Sequence, residues 1–171
     1  MNLYLIGYRG TGKSTVAPLL AEQLGWTVCD SDTEIESLSG NSVARIFEES
    51  GESGFRQWET TVLQAISLKG QQVIALGGGA PTIAENRRLI KKYGQAVLLT
   101  ATAERIWERL QVDRNKRPNL TDLDGFNEVK ELLAQRDGAY RECADYTVDT
   151  TDLEPRQVAD QIAKWWNSAD K

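Results

Sequence analysis

The chain has 171 residues and a formal net charge of −5; 40% of it is hydrophobic, 26% charged, and it contains no histidine. That length suits one domain with a sizeable core, and the acidic balance gives no footprint for nucleic acid or an anionic membrane. No apolar stretch approaches the ~20 residues of a membrane span, and the N-terminal apolar run is too short for a signal peptide.

Leu3 to Ile6 reads as a short buried strand running into Gly7-Tyr8-Arg9-Gly10-Thr11-Gly12-Lys13-Ser14-Thr15. The spacing G-x-x-x-x-G-K-[ST] is that of a phosphate-binding loop. Its glycines let the backbone turn and present N–H groups, and the next helix adds its N-terminus to the cradle. Lys13 is then placed for the β- and γ-phosphates, and the Ser14 hydroxyl for Mg²⁺. A bare glycine turn is the bland alternative, but the strand–loop–helix setting favours a nucleotide. The helix carries Val16, Leu20 and Leu24 inward and stops at Gly25, with Pro18 expected to kink or loosen its first turns.

Trp26 to Cys29 is a second strand, followed by Asp30-Ser31-Asp32, and Ser31 with Glu34 fits a capping box opening a helix that ends at Gly40. A short helix from Ser42 to Ser50 is expected to break at Gly51-Glu52-Ser53-Gly54, before a longer one from Phe55 to Leu68. Val73 to Leu76, Ala96 to Leu99 and Tyr146 to Val148 read as strands. Helices are expected from Ile83 to about Lys92, around Ile106-Trp107-Leu110, from Asn127, and from Pro155 at a first helical position. Five short strands alternating with helices predict an α/β fold, a parallel sheet between helix layers, with ligands at the carboxyl ends of the strands. Cys29 and Cys143 make neither a disulfide framework nor a zinc site and point to a reducing cytoplasm; like the five tryptophans they read as packing.

Without histidine, proton transfer falls to a carboxylate, lysine, tyrosine or water. Asp30, at a strand end, suits the acid that holds the Mg²⁺ shell. Asp32 is either a helix cap or a carboxylate that orients, as a base or only as an acceptor, an attacking hydroxyl; its nearness to the phosphates favours the second. Arg56 with Glu59 is either a solvated helix pair or an arginine aimed at an anionic substrate with Glu59 fixing its fork. Gly77-Gly78-Gly79 is more glycine than a turn needs and suggests close approach of a ligand. Arg136 falls on the apolar stripe of Val129, Leu132, Leu133 and Tyr140, so its charge must meet a protein acid or a substrate carboxylate. Arg117, in the polar stretch from Asp113 to Asn119, is either solvated or part of a lid.

Taken together these residues resemble the shikimate kinase family. The likeness runs in order from Leu3 to about Ala144: the phosphate loop, Asp30-Ser31-Asp32 as D-x-D, Gly51 to Glu59 as G-E-x-x-F-R-x-x-E, the glycine triplet, Arg117-Pro118, and Arg136 with Tyr140 as R-x-x-x-Y. The resemblance implies a three-layer P-loop NTPase sandwich of the nucleoside-monophosphate-kinase-like type, a single kinase domain with a substrate-binding segment at about 31–60 and a lid at about 111–124. It implies ATP- and Mg²⁺-dependent phosphorylation of the shikimate 3-hydroxyl, in the chorismate pathway of aromatic amino acid synthesis, by a cytoplasmic monomer with no nucleic-acid or membrane partner. Carried onto this chain, Gly10, Thr11, Gly12, Lys13, Ser14, Thr15 and Arg117 bind ATP, and Ser14 and Asp30 serve Mg²⁺. Asp32, Arg56, Gly78, Gly79 and Arg136 bind shikimate, Phe47 and Phe55 line its pocket, and Lys13, Asp32 and Arg117 act in catalysis. Pro18 and Asn119 depart from the family pattern.

Two rivals fit less well. A GTPase-like switch needs D-x-x-G before N-K-x-D, but Asn115-Lys116-Arg117 is followed by Pro118, and the D-x-x-G at Asp122 to Gly125 comes after it. Among other P-loop small-molecule kinases, the nucleotide kinases have a D-G-x-P-R segment that this chain lacks, whereas gluconate, a hydroxylated acid, fits the same groups as shikimate.

Overall fold

In the computed structural model, which describes residues 1–112 and 124–168, five strands form one parallel sheet in the order β2-β3-β1-β4-β5. The strands are β1 (Asn2–Ile6), β2 (Thr27–Asp30), β3 (Gln72–Ala75), β4 (Gly94–Thr100) and β5 (Tyr146–Asp149). Central β1 pairs with β3 (Leu3 beside Val73) and with β4 (Leu3 beside Gln95). All five of its residues are buried, because helices cover both faces and each side chain has apolar neighbours whichever way it points. Tyr4, Ile6, Ile74 and Leu98 pack on one side with α3 (Val43–Ser67), α4 (Ala84–Tyr93), α5 (Ala103–Val112) and α6 (Gly125–Cys143). Leu3, Leu5, Val73 and Leu99 pack on the other with α1 (Lys13–Leu24) and α7 (Pro155–Ser168). The three layers follow from that alternation.

Several local expectations change. Helix α1 runs unbroken through Pro18. Proline removes the bond to the Ser14 carbonyl, but that carbonyl belongs to the exposed first turn, where water can replace the lost donor. Helix α2 (Ser31–Ser39) is capped by Asp30, whose side chain accepts from the Asp32 and Thr33 N–H groups, and not by Ser31. Ser31 is buried and its Oγ accepts from the Gly77 N–H at 2.9 Å, a tertiary bond that withdraws it from the local cap. The break expected over Gly51 to Gly54 narrows to one residue: Gly51 alone leaves helical geometry (φ 65, ψ −171), which costs a glycine little. Helix resumes at once, so Arg56 sits a turn inside the second segment and not at its N-terminus. The bend brings Ser50 so close to Gly54 that a Cβ there would lie 2.3 Å from Ser50 Cβ.

The expected lid lies almost wholly in 113–123, outside the described residues, and Arg117 and Asn119 with it. Among the described residues no helix is long and apolar enough to cross a membrane.

Candidate active site

Four strand ends converge on one edge of the sheet and enclose a cleft of about 690 Å³. The loop after β1 forms its floor. Gly12 caps α1 at φ 101, a conformation that leaves the first turn's N–H groups facing the cleft. Lys13 is buried and donates from Nζ to the carbonyls of Gly7 and Tyr8, both at 2.8 Å, so the ammonium ties the loop that it would serve. Thr11 Oγ1 adds a bond to the Tyr8 carbonyl at 2.8 Å.

Two residues absent from the sequence expectations brace this loop from the far wall. Arg109 of α5 donates to the carbonyls of Gly10 (3.2 Å) and Thr150 (2.6 Å), and Thr150 Oγ1 donates to the Thr11 carbonyl at 3.0 Å. Burial pulls the Arg109 pKa down. The only signal for it in the sequence was a cation beside the apolar positions Ile106 and Leu110.

Asp30 serves two neighbours at once. Its Oδ1 caps α2 through the Asp32 N–H at 3.0 Å, while its Oδ2 accepts from Ser14 Oγ at 2.8 Å. A hard oxygen donor and a carboxylate therefore face each other at the mouth of the phosphate loop, the pair of ligand types that Mg²⁺ takes alongside substrate phosphates and water. Among the described residues no three His, Cys, Asp or Glu side chains cluster as a metal site, so an ion here depends on the nucleotide for the rest of its shell.

The glycine triplet joins the two halves of the site. Each glycine presses against a different functional group. A Cβ on Gly77 would stand 2.6 Å from Glu59 Oε1 and 3.0 Å from Asp32 Oδ1; on Gly78 it would stand 3.4 Å from the Gly7 carbonyl oxygen and 3.6 Å from an Arg136 guanidinium nitrogen. On Gly79 it would fall 1.8 Å from Arg56 Nη1. Space is too short for a side chain at Gly77 and Gly79, while Gly78 has ordinary contact distances, and Asp32, Glu59, Arg56 and Arg136 all gather around the triplet. Gly77 and Gly78 line the cleft; Arg56, Gly79 and Arg136 are not among its lining residues.

Arg56 and Glu59 are not a solvated pair. Glu59 is 2% exposed, accepts from Arg56 Nη1, and among the described residues its other oxygen, Oε1, has no hydrogen-bond partner. Burial raises the Glu59 pKa above the usual carboxylate range in spite of the adjacent guanidinium. Glu52 holds the same guanidinium from solvent at 2.7 Å. Phe47 and Phe55 stack nearby with centroids 4.6 Å apart.

Arg136 is 9% exposed on the inward face of α6, between Leu132 and Tyr140. Among the described residues no carboxylate lies within ion-pair distance of it. Its neighbours are aromatic: its guanidinium carbon lies 5.7 Å from the Tyr8 ring centroid, and Tyr140, whose pKa burial pushes up to about 12, donates its O–H to the Gly78 carbonyl at 2.6 Å.

The comparisons with known proteins agree in one direction. A family model described as shikimate kinase matches residues 9–167. A shikimate kinase of Rhodopirellula baltica is 40% identical over 166 residues, which cover 95% of this chain and 89% of that protein. The solved structure of a shikimate kinase from Acinetobacter baumannii in complex with shikimate is similar with a TM-score of 0.92 at 40% identity, over 99% of this chain and 95% of the other. One from Aquifex aeolicus gives 0.81 at 34% identity, over 98% and 96%.

Proposed function

The chain belongs to the shikimate kinase family, and from that premise we propose how its own residues carry the γ-phosphoryl group of ATP to the 3-hydroxyl of shikimate. It is a phosphotransferase with an alcohol acceptor, and ATP is its co-substrate. The residue roles, the metal and the acceptor pose are our reading. What carries it is the glycine triplet: one backbone turn touches the phosphate loop, Asp32 and both candidate acceptor arginines.

ATP lays its phosphates along the N–H groups of Gly10 to Thr15, with Lys13 neutralising the β–γ bridge. Ser14 and Asp30 would hold Mg²⁺, which when bound offsets charge on the β- and γ-oxygens. Shikimate sits on Gly78 and Gly79 with its carboxylate between Arg56 and Arg136, in a pocket bounded by Phe47 and Phe55. That pose leaves its ring hydroxyls toward Asp32, which accepts a hydrogen bond from the 3-hydroxyl and aligns it for in-line attack. From the resemblance, Arg117 closes over the transferring group. We assign residues 31–60 to acceptor binding and 111–124 to the lid within a single kinase domain. We read the protein as a cytoplasmic monomer, and its two free buried cysteines suit a reducing compartment.

An ADP-release assay with ATP, Mg²⁺ and a panel of shikimate, gluconate and nucleoside monophosphates tests the reading. Turnover should require both Mg²⁺ and shikimate; comparable turnover with gluconate, or with no acceptor, would overturn it.

The triplet offers a sharper test. Gly79 has ordinary dihedrals (φ −90, ψ −18), so alanine suits the backbone there, but its Cβ would displace the Arg56 guanidinium. Gly79→Ala should raise the shikimate KM about tenfold, the low end of a lost hydrogen bond to a charged group, with the ATP KM unchanged. An unaltered shikimate KM would show that Arg56 does not touch the acceptor.

A further inference from the structure

We propose that Tyr8 of the phosphate loop is the positioning residue for Arg136, holding its guanidinium on the ring without neutralising it. This rests on the reading that Arg136 binds the acceptor carboxylate. Tyr8 is 1% exposed, and its ring has two guanidinium carbons near it, Arg136 at 5.7 Å and Arg9 at 5.9 Å. The two cations differ in their other partners. Arg9 donates to Glu128 Oε1 at 2.9 Å, and that carboxylate is fully buried in the first turn of α6. Arg136, two turns further along α6, has no acid within ion-pair distance among the described residues.

The chemistry of the ring explains why a tyrosine suits this place. A carboxylate would hold Arg136 more firmly but would occupy the fork and cancel the charge meant for an incoming anion. An aromatic face attracts the cation through its quadrupole and leaves the N–H donors open to a bidentate partner. The ring is fixed in the core while its backbone is part of the phosphate loop, whose Gly7 carbonyl and Arg9 N–H flank Gly78. One side chain therefore links the loop that receives ATP to the arginine that receives the acceptor.

Calorimetric titration of Tyr8→Leu and Tyr8→Phe with shikimate, and separately with ADP, tests this. Leucine should raise the shikimate Kd roughly two- to thirty-fold, the span from an exposed to a desolvated cation–π contact, while phenylalanine restores it to within about twofold. The ADP Kd should stay the same in both. The titration's stoichiometry reports the folded fraction, so a partly unfolded preparation still yields its Kd, and Tyr8→Met replaces the leucine variant if that protein does not fold. A phenylalanine variant as weak as the leucine one, or equal losses for ADP and shikimate, would overturn the inference. Arg136→Lys is titrated alongside. If lysine leaves shikimate affinity intact, the reading of Arg136 itself is wrong; if lysine weakens it and Tyr8→Leu does not, only the role of Tyr8 falls.

Discussion

Replacing Asp32 by asparagine is expected to abolish most phosphoryl transfer while leaving nucleotide affinity nearly intact. The substitution is conservative for the fold. The contact that caps α2 runs from the Asp32 backbone N–H to Asp30 Oδ1, so it survives any change of the Asp32 side chain. An asparagine also fills the space beside Gly77, where Asp32 Oδ1 lies 3.0 Å from a Cβ position. What changes is chemical: the carboxylate gives way to a neutral amide that cannot take a proton. The loss of a positioned acid–base group lowers kcat by about 10²–10⁴-fold. The comparison is kcat by ADP release against ADP affinity by titration, over a range of Mg²⁺ concentrations. A kcat within a few-fold of wild type would remove Asp32 from the chemistry. A protein that instead needs far more Mg²⁺ would mean that the metal and substrate roles of Asp30 and Asp32 have been exchanged.

Asp30 and Ser31 show where sequence reasoning stopped. Both are good capping residues, adjacent in the chain, and local spacing with Glu34 favoured Ser31. The choice is made by Gly77, whose N–H takes Ser31 Oγ from 46 residues away. The phosphate loop, the five strands and several helix ends were legible because each is set by neighbours within a few positions: apolar runs, G-x-x-x-x-G-K-S, and the glycines that stop α1 and α2. Arg109 and Tyr8 were not, since one acts through Gly10 and Thr150 and the other through Arg136, contacts that no local period encodes. The glycine triplet lies between these cases. Its composition signalled crowding, but only the fold shows that protein side chains crowd it as closely as a ligand could.

Arg136 is the position where the fold narrows a choice that the sequence left open. A guanidinium on an apolar stripe needed either a protein acid or a substrate acid as partner. Among the described residues no protein acid is within ion-pair distance; of the buried carboxylates of this region, Glu59 pairs with Arg56 and Glu128 with Arg9. If Arg136 were half of a buried pair, breaking it would cost about 3–5 kcal/mol of stability. With aromatic neighbours instead, Arg136→Lys keeps the charge and much of the contact with the Tyr8 ring, so urea melts of the free protein should move little. Lysine cannot offer the planar fork, however. The shikimate Kd should therefore rise by roughly 1.5–3 kcal/mol, about 10- to 150-fold, the range for hydrogen bonds to a charged group. ADP affinity should be unaffected. The same titration with a methyl ester of shikimate separates charge recognition from shape: removing the carboxylate's charge should erase most of the difference between arginine and lysine. A large loss of stability with unchanged shikimate affinity in the folded fraction would make Arg136 a structural residue and leave Arg56 as the acceptor's cation.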